Sequence, residues 1–195
     1  MSRATAVAIR HASAGLLELD RAAAEQVLAE DVVIDRLHDD IGEVVTELLA
    51  RQQPVASDLR LVLSSVRMAA DLERMGALAA HIAKIALRRH PVTAVPPDAR
   101  EILGQMAEAA AGMSEKVSVL LSSRDPIDAA QMSLDDDVID ALHIRLFELL
   151  LAEWRYGVEA AVDLALLGRF YERFADHAVG VARQVVYLVT GDVRA

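Results

Sequence analysis

The side chains with the clearest chemical potential form an acidic motif that the chain contains twice. Its members are Asp31, Asp35 and His38 in the first copy and Asp136, Asp140 and His143 in the second. In a helix, residues spaced by three or four positions lie on the same face. Each copy therefore predicts two carboxylates and an imidazole on one side of a helix.

Paired carboxylates on one face suit hard cations, which prefer several oxygen ligands. An added imidazole widens the choice to iron, manganese or zinc. The alternative is a duplicated solvent-exposed acidic face, because like charges four residues apart cost a helix only about 0.2–0.5 kcal/mol. Both copies keep the flanking pattern Val-Ile-Asp-x-Leu-His, and this recurrence favours a functional site.

A second acidic element also occurs twice. Glu73 and Glu172 each precede an arginine, and Asp176 lies four residues after Glu172 on the same predicted helix face. The corresponding position in the first copy is Ala77. The sequence therefore predicts two carboxylate clusters, of which the first lacks one carboxylate.

Basic residues form a stripe with a spacing of seven on the third predicted helix, at Arg60, Arg67 and Arg74. One interpretation is a ladder of internal ion pairs with the acidic second helix. The other is that the stripe orients the metal-binding carboxylates or receives a phosphorylated or acidic partner. The sequence alone favours the ladder.

Helix signals and chain breakers divide the sequence into six helices. The predicted helices cover 5–19, 21–51, 55–89, 98–123, 126–154 and 157–190, with the Pro-dense segment 90–97 between the third and the fourth. Apolar positions in the second and fifth helices recur with the same spacing as the acidic motifs, which indicates a duplicated three-helix unit. We predict an all-α fold of two tandem, pseudo-symmetric three-helix bundles, with repeats at 1–92 and 97–195.

Composition restricts the function. The 195 residues include no cysteine and carry a net charge of −10, so thiolate chemistry is absent and general binding to nucleic acid is disfavoured. No uncharged apolar run approaches the roughly 20 residues that a membrane span needs. There is no Gly-x-Ser-x-Gly nucleophile motif and no Gly-rich phosphate loop. We expect a cytoplasmic protein that is not an enzyme.

Longer segments resemble a known family. The stretch Arg-Gln-Gln-Pro-Val-Ala-Ser-Asp-Leu-Arg at 51–60 and Ala-Asp-Leu-Glu-Arg-Met-Gly at 70–76 are similar to the PhoU family of phosphate-uptake regulators. Tyr-Glu-Arg-Phe-Ala-Asp-His at 171–177 and Tyr-Leu-Val-Thr-Gly at 187–191 fit the same family. The resemblance covers nearly the whole chain.

The resemblance implies a non-enzymatic, often dimeric cytoplasmic adaptor between a phosphate ABC transporter and a sensor histidine kinase. Such a protein represses the phosphate-starvation response when phosphate is abundant, and reaches a membrane only through its partners. The family's metal-binding motifs map onto Asp31, Asp35, Glu73, Asp136, Asp140, Glu172 and Asp176, with His38 and His143 as further candidate ligands.

Two departures from the family pattern, Ala77 in place of Asp and Ala175 in place of Gly, are expected to weaken the first cluster and to alter packing near the second. The alternative function is a carboxylate-rich metal-binding or storage protein. A plain helical scaffold without a phosphate role is the third hypothesis.

Overall fold

The structure, a computed structural model, describes residues 1–192 and forms six α-helices from them. They are α1 (Ser2–Leu17), α2 (Arg21–Gln52), α3 (Ala56–Arg89), α4 (Pro97–Ser123), α5 (Pro126–Leu151) and α6 (Gly157–Thr190). No strand occurs between residues 1 and 192. The predicted all-α fold of six helices is confirmed. The last three residues of the predicted second repeat lie outside the described residues.

The residues that begin and end several helices are those that the sequence indicated. The carboxylate of Asp20 accepts a hydrogen bond from the Ala23 amide at 3.0 Å, and Asp125 accepts one from the Ile127 amide at 2.8 Å. These side chains satisfy amide groups that have no partner inside the helix. Helix α6 ends at Thr190 and is followed by Gly191, whose φ of 76° lies in the left-handed region where glycine is favoured.

Two helix ends differ from the prediction. Helix α1 ends at Leu17 rather than at residue 19, because Leu19 adopts a left-handed backbone conformation with φ of 61°. Helix α5 ends at Leu151 rather than at Trp154, since Ala152 turns to an extended conformation. The Trp154 indole instead donates a hydrogen bond to the carbonyl of Gly157 at 2.7 Å and so stabilises the turn before α6.

The helices pack as two groups of three that share one core. Helices α1, α2 and α3 contact one another, as do α4, α5 and α6. Extensive packing of α3 against α6, and of α1 against α4, joins the groups. Ala94 and Val95 of the connecting segment are buried in the same core. The proposed limits of the two repeats stay a prediction.

Helices α3 and α6 run antiparallel along the interface between the groups. Their cross-helix contacts pair Arg88 with Asp163, His81 with Phe170, Asp71 with Gly180 and Arg60 with Gly191. The carboxyl-terminal half of α3 therefore lies beside the amino-terminal half of α6. This arrangement positions the charged residues of both repeats along one seam.

The predicted apolar seam of α2 is only partly buried. Val27 and Ile34 are buried, whereas Val44 is 57% exposed. Helix α1 has 16 residues and α2 has 32, so at 1.5 Å per residue α1 covers at most about half of α2. Helix α4 has 27 residues and covers more of α5, whose Ile139 and Leu146 are fully buried.

A buried carboxylate that the sequence reasoning missed connects the two groups. The Asp163 side chain is 3% exposed, and its two oxygens lie 2.5 Å from Arg88 Nη2 and 2.5 Å from Arg89 Nη2. Arg89 Nε also donates to Asp163 Oδ2 at 2.6 Å. A carboxylate buried in this way is stabilised only while both arginines remain beside it.

Candidate functional site

Four carboxylates lie near one another where α5 packs against α6. This second acidic cluster consists of Asp136, Asp140, Glu172 and Asp176. Burial, followed by the charges of Asp140, Asp176 and the other neighbouring carboxylates, raises the pKa of Asp136 to about 6. The structure thus brings together the four residues that the sequence assigned to the second site.

Glu172 on α6 is affected by burial and by neighbouring carboxylates in the same way as Asp136. Burial raises its pKa, the charges of Asp176 and Asp140 raise it further, and the hydrogen-bonded Arg169 opposes them. Within residues 1–192, the buried Glu172 Oε2 and Asp136 Oδ1 atoms have no hydrogen-bond partner. Unpartnered carboxylate oxygens in a crowded acidic cluster are atoms that a cation would stabilise.

His143 lies beside the second acidic cluster on α5. Its ring packs against Gly168, where an added Cβ would come within 3.1 Å of His143 Cδ2. Burial, followed by the charge of Arg169, lowers the pKa of His143, so the neutral imidazole is favoured. Its buried Nε2 has no partner among the described residues. A neutral imidazole with a free nitrogen has the chemistry of a metal ligand.

The first acidic cluster, Asp31, Asp35 and Glu73, is weaker. Burial raises the pKa of Asp31, and the charges of Asp35 and Glu73 add to that shift. Lys84 and His81 oppose it. The cluster contains three carboxylates where the second has four, because Ala77 stands at the position equivalent to Asp176.

His38 differs from its counterpart His143. Its side chain is 39% exposed, and its ionic contact is with the neighbouring Asp39 at 3.6 Å. The imidazole of the first repeat is therefore partly exposed, whereas that of the second is packed against α6. In the described part of the chain, no three His, Asp or Glu side chains are arranged to hold one metal ion.

Gly76 in the first repeat is closely packed. A Cβ added to Gly76 would come within 2.8 Å of Ile34 Cδ1 on α2. Ala175 at the equivalent position of α6 is fully buried. The second repeat thus accommodates one more methyl group at this point beside the candidate site.

The predicted ladder of ion pairs between the basic stripe and α2 is wrong. Among residues 1–192, the stripe forms one ion pair, from Arg74 to the adjacent Glu73 at 3.5 Å. The reason is orientation, because the stripe follows the seam between α3 and α6. Arg60 shows this directly, since its guanidinium lies beside Gly191 at the end of α6.

Arg74 lies in a groove between α3 and α6 that sequence reasoning did not foresee. This basic groove is lined by Arg74, Ala77, Leu78, His81, Arg169, Phe170, Arg173 and His177. In the sequence, Arg74 was marked by its spacing and Arg173 by the repeated Glu-Arg pair, but nothing indicated that they share a groove. Arg169 and Arg173 join it through the antiparallel packing of α6, which a single sequence does not show.

The geometry defines a class of protein, namely a duplicated helical bundle with an acidic cluster in each repeat, joined along the packed helices α3 and α6. The PhoU domain model matches this chain at residues 1–86 and again at 103–185. The chain therefore belongs to the PhoU family. Because that family consists of accessory proteins, the expectation that this chain is not an enzyme is confirmed.

Individual relatives align with this chain over most of its length. The chain is 46% identical to the phosphate-specific transport system accessory protein PhoU homolog 2 of Mycobacterium tuberculosis, with 95% of this chain and 87% of that protein aligned. It is 45% identical to PhoU homolog 1 of the same organism, with 95% and 84% aligned. The crystal structure of PhoU from Pseudomonas aeruginosa superposes with a TM-score of 0.91 at 26% identity, covering 98% of this chain and 93% of that one.

Helix hydropathy adds one finding about membranes. Within residues 1–192, none of the six helices combines the length and the apolar character required to cross a bilayer.

Proposed function

We propose that this chain is a cytoplasmic regulator of phosphate uptake and of the phosphate-starvation response. It acts as an adaptor between a phosphate ABC transporter and a sensor histidine kinase, and it represses the response when phosphate is abundant. The observation that carries the proposal is membership of the PhoU family along both repeats. The names of the curated relatives support the coarser part, an accessory role in phosphate-specific transport.

The two-repeat architecture supports an adaptor role in physical terms. The repeats present related but unequal surfaces, since the second acidic cluster has four carboxylates and the first has three. A protein with two unequal faces can contact a transporter with one and a kinase with the other. We also propose a homodimer, which the apolar side chains exposed on α2 and α3 favour, among them Val44 and Leu61.

Loss of the gene provides the test. A strain lacking every copy of this regulator is expected to produce a starvation-induced phosphatase even in high phosphate, and the wild-type gene should restore repression. Repression that persists in the deletion strain would contradict the proposal. Pull-downs with the transporter and the kinase test the adaptor role separately, because a scaffold from another process would capture neither.

The second candidate function is metal binding, and we propose that the second acidic cluster holds a divalent iron, zinc or manganese ion. Asp136, Asp140, Glu172 and Asp176 would provide oxygen ligands, and His143 a nitrogen, after their side chains rotate toward a shared ion, since no three of them converge in the described structure. The bound cation would supply positive charge that offsets the repulsion among the carboxylates. The unpartnered Asp136 Oδ1, Glu172 Oε2 and His143 Nε2 support this assignment. The first cluster, with Asp31, Asp35 and Glu73, is proposed as the weaker site.

Elemental analysis of purified protein is expected to find metal in the wild type and less in the double variant Asp136→Ala/Asp140→Ala. The matched control is Glu43→Ala/Glu47→Ala, an exposed acidic pair with the same spacing on the outer part of α2. Equal metal contents in all three proteins would reject the metal site. The adaptor proposal would survive that result, because it does not depend on metal.

A further inference from the structure

The basic groove concentrates positive charge in a protein that is acidic as a whole. The chain has a net charge of −10, yet the residues that line the groove include three arginines and no carboxylate. Arg169 and Arg173 lie four residues apart on α6, where like charges repel each other. Arg74 approaches them from α3. An arrangement that gathers like charges is unfavourable unless an anion balances it.

The carboxylates nearby leave much of this charge unsatisfied. Arg169 is paired with Glu172, but the ion pair between Arg74 Nε and Glu73 Oε2 spans 3.5 Å, beyond an ordinary hydrogen bond. Arg173 is exposed and takes part in none of the ion pairs formed among residues 1–192, in contrast to Arg74 and Arg169. Each guanidinium carries five N–H groups. Several donors therefore remain available for a ligand.

The floor of the groove is apolar and fixed in position. Ala77, Leu78 and Phe170 contribute its carbon surface. The Phe170 ring stacks on His81 with centroids 5.2 Å apart and an angle of 22° between the ring planes. The Arg74 and Arg169 side chains are 66% and 52% exposed, so their guanidinium groups are accessible to an anion from solvent. His177 completes the wall, held by a 3.0 Å contact between its Nδ1 and Asp71 Oδ1.

The surroundings limit the size of the ligand. Glu73 of the first acidic cluster is next to Arg74, and Glu172 of the second is next to Arg173. A long polyanion such as a nucleic acid would have to pass over these carboxylates and be repelled. A compact anion that stays between the two clusters would not. The groove therefore favours a small oxyanion.

We propose that the basic groove binds a phosphate-type oxyanion, with Arg173 and Arg74 as its main donors and Arg169 as a third. A tetrahedral dianion offers several acceptor oxygens, and guanidinium groups can bind these in pairs. The site adjoins the second acidic cluster through the ion pair of Arg169 with Glu172, but it needs no metal. It is also independent of the adaptor role, since anion binding can fail while the deletion strain still shows loss of repression.

The test is an NMR titration of chelator-treated protein with sodium phosphate at constant ionic strength. We expect saturable shifts of the backbone amides of residues 74–81 and 169–177. Arg173→Ala and Arg74→Ala should each weaken binding about tenfold, the usual effect of losing a charge-assisted hydrogen bond. The control is Arg183→Ala, which removes an exposed arginine of the same helix outside the groove.

A parallel titration with phenyl phosphate separates the two sources of the same chemistry. Saturation by inorganic phosphate assigns the groove to the free ion, whereas saturation by the ester alone supports the site and assigns it to a phosphorylated molecule. Saturation by neither probe overturns the proposal. Equal weakening by Arg183→Ala also overturns it, because that result would show general electrostatic attraction rather than a site. Unchanged circular dichroism of the variants verifies that they remain folded.

Discussion

Replacement of Asp163 by alanine is expected to destabilise the protein by about 3 kcal/mol, which corresponds to a fall in melting temperature of roughly 6–12 °C for a chain of this length. Asp163 is the buried acceptor for two arginines of α3, at 2.5 Å from each. Its removal leaves Arg89, whose side chain is only 20% exposed, without its buried partner. Thermal unfolding monitored by circular dichroism measures the effect.

The same arginine provides a matched control. Glu159 also pairs with Arg89, at 2.5 Å, but its side chain is 81% exposed. Exposed ion pairs contribute little, about 0–1 kcal/mol, so Glu159→Ala should leave the melting temperature nearly unchanged. Similar losses in the two variants would show that burial of Asp163 does not determine its contribution. The variant Asp163→Asn keeps the volume and should fall between the alanine variant and the wild type.

The position of Asp163 explains why its effect should be large. It joins the end of α3 to the beginning of α6, where the two repeats meet. Breaking this contact weakens the packing between repeats as well as one ion pair. Tyr171, also on α6, connects the two groups of helices at another point, because its buried hydroxyl lies 2.9 Å from Ser13 Oγ of α1.

The six helices could be predicted because their signals are local. Asp20, Asp125 and Gly191 mark helix ends through their own backbone and side-chain chemistry, which needs no distant partner. The duplicated apolar spacing likewise required only the sequence. The errors at the ends of α1 and α5 arose where single residues, Leu19 and Ala152, leave the helical conformation without a glycine or proline to signal it.

Features that depend on packing between the repeats could not be predicted. Asp163 pairs with Arg88 and Arg89, which precede it in the chain by 75 and 74 positions. A single sequence does not reveal such a contact. The basic stripe was correctly located on α3, but its neighbour was misassigned to α2. Knowledge that α3 and α6 run antiparallel was needed to place Arg169 and Arg173 opposite Arg74.

The acidic clusters could be predicted in part. The duplication identified Asp136 and Asp140, and helical spacing placed Glu172 and Asp176 on one face. Side-chain packing was not predictable, and it distinguishes the repeats, because His143 is packed against Gly168 while the His38 side chain is 39% exposed. The difference favours the second cluster as the stronger metal site that we propose.

Replacement of Asp136 by asparagine is expected to stabilise the metal-free protein above pH 6 by roughly 1 kcal/mol, after allowance for the screening of a partly exposed group. Burial and the neighbouring carboxylates raise the pKa of Asp136 from 3.8 to about 6 in the folded state. Between these values the folded protein holds a proton that the unfolded chain has released. Stability should therefore fall as the pH rises from about 4 to 6, and it should stay lower above pH 6. Asparagine carries no charge and should remove that loss, as urea unfolding at pH 4.5 and 7.5 would measure.

Added metal should reverse the ranking of the two proteins. If Zn²⁺ or Mn²⁺ binds the second acidic cluster, the wild type gains about 2.7 kcal/mol at a free metal concentration of 100 times Kd, and Asp136→Asn gains much less. The gain should shrink below pH 6, because protonation of Asp136 competes with the metal. Glu148→Gln, an exposed acid on the same helix, is the control and should behave as the wild type does. Equal stabilisation of wild type and Asp136→Asn by metal would show that the ion binds elsewhere. Loss of the difference between them in metal-free buffer at pH 7.5 would instead show that the carboxylates do not repel one another as the structure implies.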